Sequence, residues 1–164
     1  MSQSNHPNKI VMQVIKAPFG NLYLYADDSH LTAITFREID TLNAKVAENH
    51  PILNRTAQQL SEYFAGQRRH FDLPFRLQGT HFQQQVWQQL QKIAYGSTEN
   101  YGQVAAAIEN PKAVRAVGNA NNKNPIVIVV PCHRVIGASG KMVGYGGGLT
   151  TKEWLLNHEQ AHIK

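Results

Sequence analysis

The sequence predicts a mixed α/β fold of the α+β type, in two parts of different character. Three runs rich in β-branched and aromatic residues occupy the first third of the chain. Such residues suit a pleated sheet, and they predict a small N-terminal domain with a three-stranded antiparallel sheet plus helices. Later segments repeat apolar residues at helical spacing. They predict a mainly helical C-terminal domain that contains a helix-turn-helix.

The three strands correspond to "KIVMQVI", "NLYLYA" and "LTAITF". The segments "APFGN" and "DDSH" that separate them have the composition of turns. Apolar residues then recur at helical spacing over residues 53–65, and Gly66 suits the C-terminal stop of that helix. The irregular stretch "QRRHFDLPFRLQG" follows. It predicts a boundary near Leu77, with domains at residues 1–77 and 78–164.

The second half opens with a helix start, because Thr80 and Gln83 have the spacing of a capping box. A short helix, "YGQVAAAIEN", ends before Pro111. Asn110 and Pro111 suit the N-cap and first position of the next helix, "PKAVRAVGNANN". Two short helices joined by a tight turn predict a helix-turn-helix. The second is rich in Ala and Gly, which suits close approach to DNA and equally suits packing in an ordinary core.

Two further elements complete the C-terminal half. The apolar run "PIVIVV" predicts a short buried strand or extended segment that leads to Cys132. The stretch "TKEWLLNHEQ" predicts a closing helix with Trp154 and Leu155 facing inward.

Composition restricts the class of protein. The 164 residues are 42% hydrophobic and 16% charged, which is typical of a globular chain with a proper core. No apolar run approaches the ~20 residues that span a bilayer, and the N-terminus lacks the pattern of a secretory signal. A single cysteine allows no internal disulfide and no cysteine-based zinc site, and the histidines are scattered. We therefore expect a cytoplasmic protein without membrane contact, metal or cofactor.

The positive charge is unevenly distributed. The net charge is +5; residues 1–79 hold eight Lys and Arg against seven Asp and Glu, whereas residues 80–164 hold eight against four. The excess in the second half favours an anionic partner for that half. A solvated basic surface explains the charge equally well.

The one cysteine, Cys132, lies between Pro131 and His133 and is followed by Arg134. A cysteine acts as a nucleophile only as thiolate, so a neighbouring base or positive charge is required. Adjacent residues of an extended chain point to opposite faces, so we expect a water molecule to connect His133 with the thiol. The alternative is a buried cysteine that serves as a small hydrophobic residue.

The segments around Cys132 resemble a known family. "PCHRVIG", preceded by "NPIVIVV" and followed by "GYGGGL" and "KEWLLNHE", occurs together with "YGQVA" and "NPKAVRAVG". In this combination the chain resembles the O6-alkylguanine-DNA alkyltransferases, also called methylated-DNA–protein-cysteine methyltransferases. The resemblance runs from about residue 80 to 160 and is looser in the N-terminal strands.

This resemblance implies a stand-alone, monomeric DNA-repair enzyme. Its partner would be duplex DNA that contains O6-alkylguanine, bound through the minor groove, with the damaged nucleotide rotated out of the stack. The alkyl group would pass from guanine O6 to Cys132 in one irreversible transfer, so that each molecule acts once.

The resemblance also implies a role for each of several residues. His133 removes the thiol proton through a water molecule, and Glu159 stabilises the cationic histidine. Tyr101 donates a proton to the base as the alkyl bond breaks. Two further residues shape the site: Asn124 braces the turn beside the cysteine, and Tyr145 forms a wall of the pocket for the base. Arg115 enters the duplex, and Arg134 has a role that is more structural than catalytic.

Two positions depart from patterns found among relatives. Asn100 stands where some members have a hydroxyl residue, and Gly146 stands where some have a serine. The missing hydroxyl at Gly146 predicts a roomier pocket near the substrate, one that tolerates bulky O6 adducts and O4-alkylthymine.

Two other functions compete with the transferase. A cysteine hydrolase would use Cys132, His133 and Glu159 as a triad, but no oxyanion motif accompanies them. A non-catalytic sensor of alkylation damage would bind the same lesion without a reactive cysteine. The presence of Cys132 among its expected partners favours the transferase.

Overall fold

The computed structural model describes residues 9–140 and 144–163. Its N-terminal sheet has the strand order β3-β2-β1-β4. The strands are β1 (Val11–Ala17), β2 (Gly20–Ala26), β3 (Leu31–Thr35) and β4 (Lys45–Val46). The first three pair antiparallel, as predicted, and β4 pairs parallel with β1. The prediction of three strands was one short, because two residues form no recognisable strand pattern.

A 14-residue helix, α1 (Pro51–Phe64), packs against the sheet. It begins two residues earlier than predicted, because the His50 side chain caps it by accepting hydrogen bonds from the backbone N–H groups of Ile52 and Leu53. Gly66 follows the helix with φ +78°, a left-handed conformation that suits glycine and ends the helix as predicted.

Four helices and a small two-stranded sheet form the C-terminal half. They are α2 (His81–Leu90), β5 (Glu99–Asn100), α3 (Tyr101–Ala107), α4 (Val114–Asn122), β6 (Val135–Ile136) and α5 (Leu149–Ala161). The Thr80–Gln83 capping box is present at the start of α2. Helices α3 and α4 pack on each other and form the helix-turn-helix. The mixed fold with a helical C-terminal half is therefore confirmed.

The predicted start of α4 was wrong. Asn110 and Pro111 lie in the turn between α3 and α4, and the helix begins at Val114 after Ala113, which provides no side-chain cap. Glu109 adopts φ +61°, and the Ala113 N–H then donates to the Asn110 carbonyl. This left-handed residue redirects the chain, so that the proline belongs to a turn.

The core is continuous between the two halves of the chain. Buried Leu24 and Leu60 belong to the same apolar cluster as Trp87 and Leu155. The apolar run before Cys132 takes part in this junction. The N–H of Ile34 donates to the Pro125 carbonyl at 2.9 Å, and the Val127 N–H donates to the Ile34 carbonyl at 3.2 Å. The predicted extended segment thus lies along β3 and carries Cys132 to the boundary between the halves.

Trp154 and Leu155 of α5 both pack toward the core; Leu155 is fully buried and Trp154 is half-buried. No helix among residues 9–140 and 144–163 is long and apolar enough to cross a membrane.

Candidate active site

Cys132 lies in a single turn of 3-10 helix, Cys132–Arg134, immediately before β6. The expectation of an extended chain here was wrong, because the Arg134 N–H donates to the Pro131 carbonyl at 3.0 Å and closes the turn. The exposed fraction is 3% for Cys132, 0% for His133 and 7% for Arg134. All three side chains consequently lie in the protein interior, where the low dielectric strengthens electrostatic interactions and hydrogen bonds.

A cavity of about 380 Å³ opens beside Cys132. This volume falls in the range of pockets that hold small organic groups. Its walls come from both halves of the chain. Residues 35–39, which are the last residue of β3 and the four that follow it, line the cavity together with Asn121, Asn124, Val127, Tyr145 and Gly146. No sequence signal places residues 35–39 at the site, because they carry no motif and lie far from the cysteine along the chain.

Two buried asparagines brace the turn that carries Cys132. The Asn124 side chain donates to the Val130 carbonyl at 2.7 Å and accepts from the Ile126 N–H at 3.0 Å. The Asn121 side chain donates to the Cys132 carbonyl at 3.3 Å. Asn124 and Asn121 therefore both hold the backbone around Cys132, and Asn121 was not among the predicted site residues.

The thiol of Cys132 is protonated at rest. Burial raises its pKa, while Asn124, Tyr145 and the positive charge of Lys152 oppose that rise. Lys152 is fully buried, and its Nζ donates to the Val135 carbonyl at 2.5 Å. No sequence signal marks this lysine as buried, because a lysine in a C-terminal helix is ordinarily solvated. Since the buried thiol favours its neutral form, forming the thiolate requires a base.

His133 has the arrangement of that base. Its Nε2 lies 2.7 Å from Oε2 of Glu159, and both side chains are buried. A carboxylate only accepts hydrogen bonds, so Nε2 carries the proton and Nδ1 holds the free electron pair. Nδ1 is buried and has no hydrogen-bond partner among the described residues. Burial lowers the pKa of His133 against the opposing effect of Glu159, which keeps the imidazole neutral and basic near neutral pH.

Glu159, on α5, is a fully buried carboxylate with five hydrogen bonds. Oε1 accepts from Arg134 Nε at 2.9 Å and from the Gly96 N–H at 3.2 Å. Oε2 accepts from Arg134 Nη2 at 3.0 Å, from His133 and from the hydroxyl of Tyr63 at 2.6 Å. Burial alone would raise the pKa of Glu159, but the hydrogen bonds and charges of His133 and Arg134 hold it well below its usual range.

Two tyrosines stand near the thiol. Tyr101 is half-buried at the start of α3, and its ring lies over Gly118 of α4. Burial, with a smaller contribution from Cys132, raises the pKa of Tyr101. Tyr145 lines the cavity with its hydroxyl buried and its ring edge-on to Phe36 at 5.5 Å. Burial and the neighbouring Cys132 raise the pKa of Tyr145 well above 10.0. Both hydroxyls are therefore held protonated.

The two arginines of the predicted site have different surroundings. Arg115 is exposed on α4. Arg134 is buried and bonds Glu159 and the Ile93 carbonyl. These bonds support the carboxylate of Glu159, and the place of Arg134 among the candidate substrate- and DNA-binding residues stays a prediction. Its described hydrogen bonds all stay within the C-terminal half, so they do not tie the two halves together.

The two departures from the family pattern have structural explanations. Asn100 caps α3 by accepting from the Gln103 N–H at 2.8 Å, a role that a hydroxyl residue also fulfils. Gly146 lines the cavity, and a Cβ built on it would meet no atom within 4 Å. The glycine thus leaves open space where a larger residue would fit. Among the described residues, no group of three or more His, Cys, Asp or Glu side chains is arranged to hold a metal ion.

Comparison with known proteins identifies the family. The sequence model for the 6-O-methylguanine DNA methyltransferase DNA-binding domain matches residues 81–161, and the model for the ribonuclease-like domain of the same proteins matches residues 10–77. A methylated-DNA–protein-cysteine methyltransferase of Methanosarcina mazei is 45% identical over 155 residues, which cover 92% of this chain and 98% of that protein.

Solved structures agree with this result. The Mycobacterium tuberculosis O6-methylguanine methyltransferase superposes with a TM-score of 0.88 at 42% identity, covering 94% of this chain and 95% of that one. A second Mycobacterium tuberculosis structure, of OGT in complex with DNA, has a TM-score of 0.86 at 43% identity and covers 92% and 93% of the two chains.

The chain belongs to the 6-O-methylguanine DNA methyltransferase family. The family resemblance drawn from the motifs around Cys132 is confirmed, and the protein is an enzyme of DNA repair, a methyltransferase with a DNA-binding domain.

Proposed function

We propose that this protein takes the alkyl group from O6-alkylguanine in duplex DNA onto Cys132, irreversibly and once per molecule. One observation carries the proposal. Glu159 and His133 form a buried hydrogen bond, and the adjacent residue Cys132 lines the cavity of about 380 Å³. This arrangement supplies a neutral histidine on the residue after the thiol, and the thiol lines a cavity of a size that suits a small organic group.

The proton and electron movements balance within the site. His133 Nδ1 accepts the Cys132 proton through a bridging water, and Glu159 stabilises the imidazolium. The thiolate then attacks the alkyl carbon, a new S–C bond forms, and the C–O6 bond breaks with its electron pair going to the guanine. Tyr101 supplies a proton to the base as that charge develops. A thioether is a poor leaving group, so the product stays on the protein.

The DNA contact is assigned to the exposed surface of α4. Arg115 and Lys123 are exposed at the two ends of this helix, and the exposed residues of the helix carry no acidic side chain. We assign Arg115 to the space that the rotated nucleotide leaves, since a planar guanidinium stacks and hydrogen-bonds a base. The enzyme would bind through the minor groove and flip the lesion into the cavity. The Mycobacterium tuberculosis relative bound to DNA supports duplex DNA as the partner.

We also propose a substrate range, an oligomeric state and a cellular location. The open space at Gly146 supports acceptance of bulky O6 adducts and of O4-alkylthymine. We further propose a monomer that acts in the cytoplasm, where the one cysteine stays reduced.

The function is tested with a duplex that contains one O6-methylguanine, radiolabelled in the methyl group. Wild-type protein should acquire the label to one equivalent, and Cys132→Ala should acquire none while still binding the lesion. An undamaged duplex of the same sequence is the control. Lesion binding by wild-type protein without label transfer would instead support the damage sensor. Continued turnover with release of the label would support a hydrolase.

A further inference from the structure

Tyr63 is a residue that neither the sequence motifs nor the proposed mechanism uses. It lies on α1 in the N-terminal half, yet its hydroxyl donates a 2.6 Å hydrogen bond to Glu159 Oε2, 96 positions further along the chain. The same oxygen accepts from His133 at 2.7 Å. Tyr63 thus reaches the carboxylate oxygen on which the base depends.

We propose that Tyr63 is a positioning residue for alkyl transfer: its hydroxyl holds Oε2 of Glu159 in place and moderates the charge that this oxygen presents to His133. This inference rests on the proposed function, since it assigns His133 as the base.

The surroundings of the hydroxyl show that it is a defined donor. Tyr63 is fully buried, and its ring packs against Phe64, Phe71, Tyr95 and His158. Burial, then the charge of Glu159 and the hydrogen bond to it, raise the pKa of Tyr63 far above its usual value. The hydroxyl therefore keeps its proton and donates a hydrogen bond to the ionised carboxylate.

The charge at Glu159 is shared among groups from several elements. Tyr63 from α1, and His133 and Arg134 from the 3-10 turn, donate hydrogen bonds to this carboxylate. Tyr95, from the segment after α2, lies within the electrostatic influence of Glu159, but its hydroxyl donates no hydrogen bond to Glu159. The positive charge of Lys152, on α5, lowers the pKa of His133. If the Tyr63 hydroxyl is removed, Oε2 has two donors instead of three, and its negative charge attracts the imidazolium of His133 more strongly. The pKa of His133 then rises, and the base becomes protonated at a higher pH.

Tyr63→Phe removes only this hydroxyl and keeps the ring. The matched control is Tyr95→Phe, which removes the hydroxyl of a neighbouring tyrosine, 6.1 Å from Tyr63 between ring centroids. The Tyr95 hydroxyl is also buried but has no hydrogen-bond partner among the described residues. Both variants are compared with wild type for the rate of methyl transfer from the duplex as a function of pH, and for the titration of the His133 ring by NMR.

In Tyr63→Phe, we expect the acid limb of the rate profile and the His133 titration both to move to higher pH. Because a hydrogen bond to a charged group contributes substantially, we expect both midpoints to rise by about one pH unit, so that transfer at a given pH on the acid limb falls by about 10-fold while the alkaline plateau changes less. Tyr95→Phe should coincide with wild type. A Tyr63→Phe profile with the wild-type acid limb, whatever its height, would show a purely structural tyrosine and overturn the proposal.

The two proposals fail in different ways. If wild-type protein transfers no methyl group, the proposed function fails, and the His133 titration of the free protein still decides the role of Tyr63. If Tyr63→Phe does not fold, the NMR signal of the Tyr63 hydroxyl proton in the wild-type protein decides the role of Tyr63. A slowly exchanging proton with a nuclear Overhauser effect to the Nε2 proton of His133 supports the proposal. A Tyr63 hydroxyl that exchanges freely with solvent overturns it.

Discussion

Replacing Glu159 by glutamine tests the network that supports the base. The substitution preserves shape but exchanges one accepting oxygen for an amide group that only donates. Placed at Oε1, the amide would face two donors, from Arg134 and Gly96; placed at Oε2, it would face three. In either orientation the guanidinium of Arg134, which is 7% exposed, loses its carboxylate partner.

The expected cost follows from that loss. Removing one partner of a buried ion pair destabilises a protein by about 3–5 kcal/mol. This is a large share of the free energy of unfolding of a native protein, which is roughly 5–15 kcal/mol. For a chain of this length, this corresponds to a fall in Tm of about 6–20 °C.

Thermal unfolding followed by circular dichroism measures the effect of Glu159→Gln. Glu153→Gln is the matched control, because Glu153 lies on the same helix, is exposed and loses the same charge. The control should keep the wild-type Tm to within a degree or two. Glu159→Gln with the same Tm as Glu153→Gln would refute the view that Glu159 neutralises a buried arginine.

Three other predictions concern DNA, pH and the substrate. Arg115→Ala should slow transfer from duplex DNA by about 10-fold or more while leaving reaction with the free O6-methylguanine base unchanged; equal losses on both substrates would show that Arg115 does not enter the duplex. Stability to urea should fall in two stages on acidification, because the pKa values of His133 and Glu159 are both lowered in the folded protein. The unfolded chain binds a proton that the folded protein does not, first below the ordinary histidine pKa of 6.5 and again below the ordinary glutamate pKa of 4.5. A free energy of unfolding that stays constant from neutral to acid pH would contradict both assignments. Finally, a duplex with O6-benzylguanine should react at a rate within about 10-fold of that of the methyl adduct. Gly146→Ser should slow the benzyl reaction more than the methyl reaction, because the serine fills the open space at that position. Negligible benzyl transfer by wild type would refute the roomy pocket.

Most of the fold was accessible from the sequence, because its elements carry local signals. The Thr80–Gln83 capping box predicted the start of α2, and runs rich in β-branched and aromatic residues predicted the three antiparallel strands. The exceptions lack such signals. Histidine is not among the preferred N-cap residues, so the role of His50 went unnoticed, and two-residue β4 is defined by its partner alone.

The site was accessible to a smaller degree. The nucleophile and its adjacent histidine stand in one motif, and the family resemblance supplied Glu159. Other contributors come from distant positions: Tyr63 lies on α1, and residues 35–39 lie at the end of β3 and directly after it. Lys152 looks like a solvated lysine until the packing of α5 buries it. Such groups join the site through tertiary packing, which no local spacing encodes.

The most direct test of the central claim is mass spectrometry of the intact protein and its peptides after reaction with an equimolar duplex that contains one O6-methylguanine. The proposed function predicts a gain of one methylene per protein, located on the peptide that contains Cys132, with no further turnover when the duplex is in excess. A lesion that is bound while the mass of the protein stays unchanged, or a methyl group found on any other residue, would contradict the assignment of Cys132 as the acceptor.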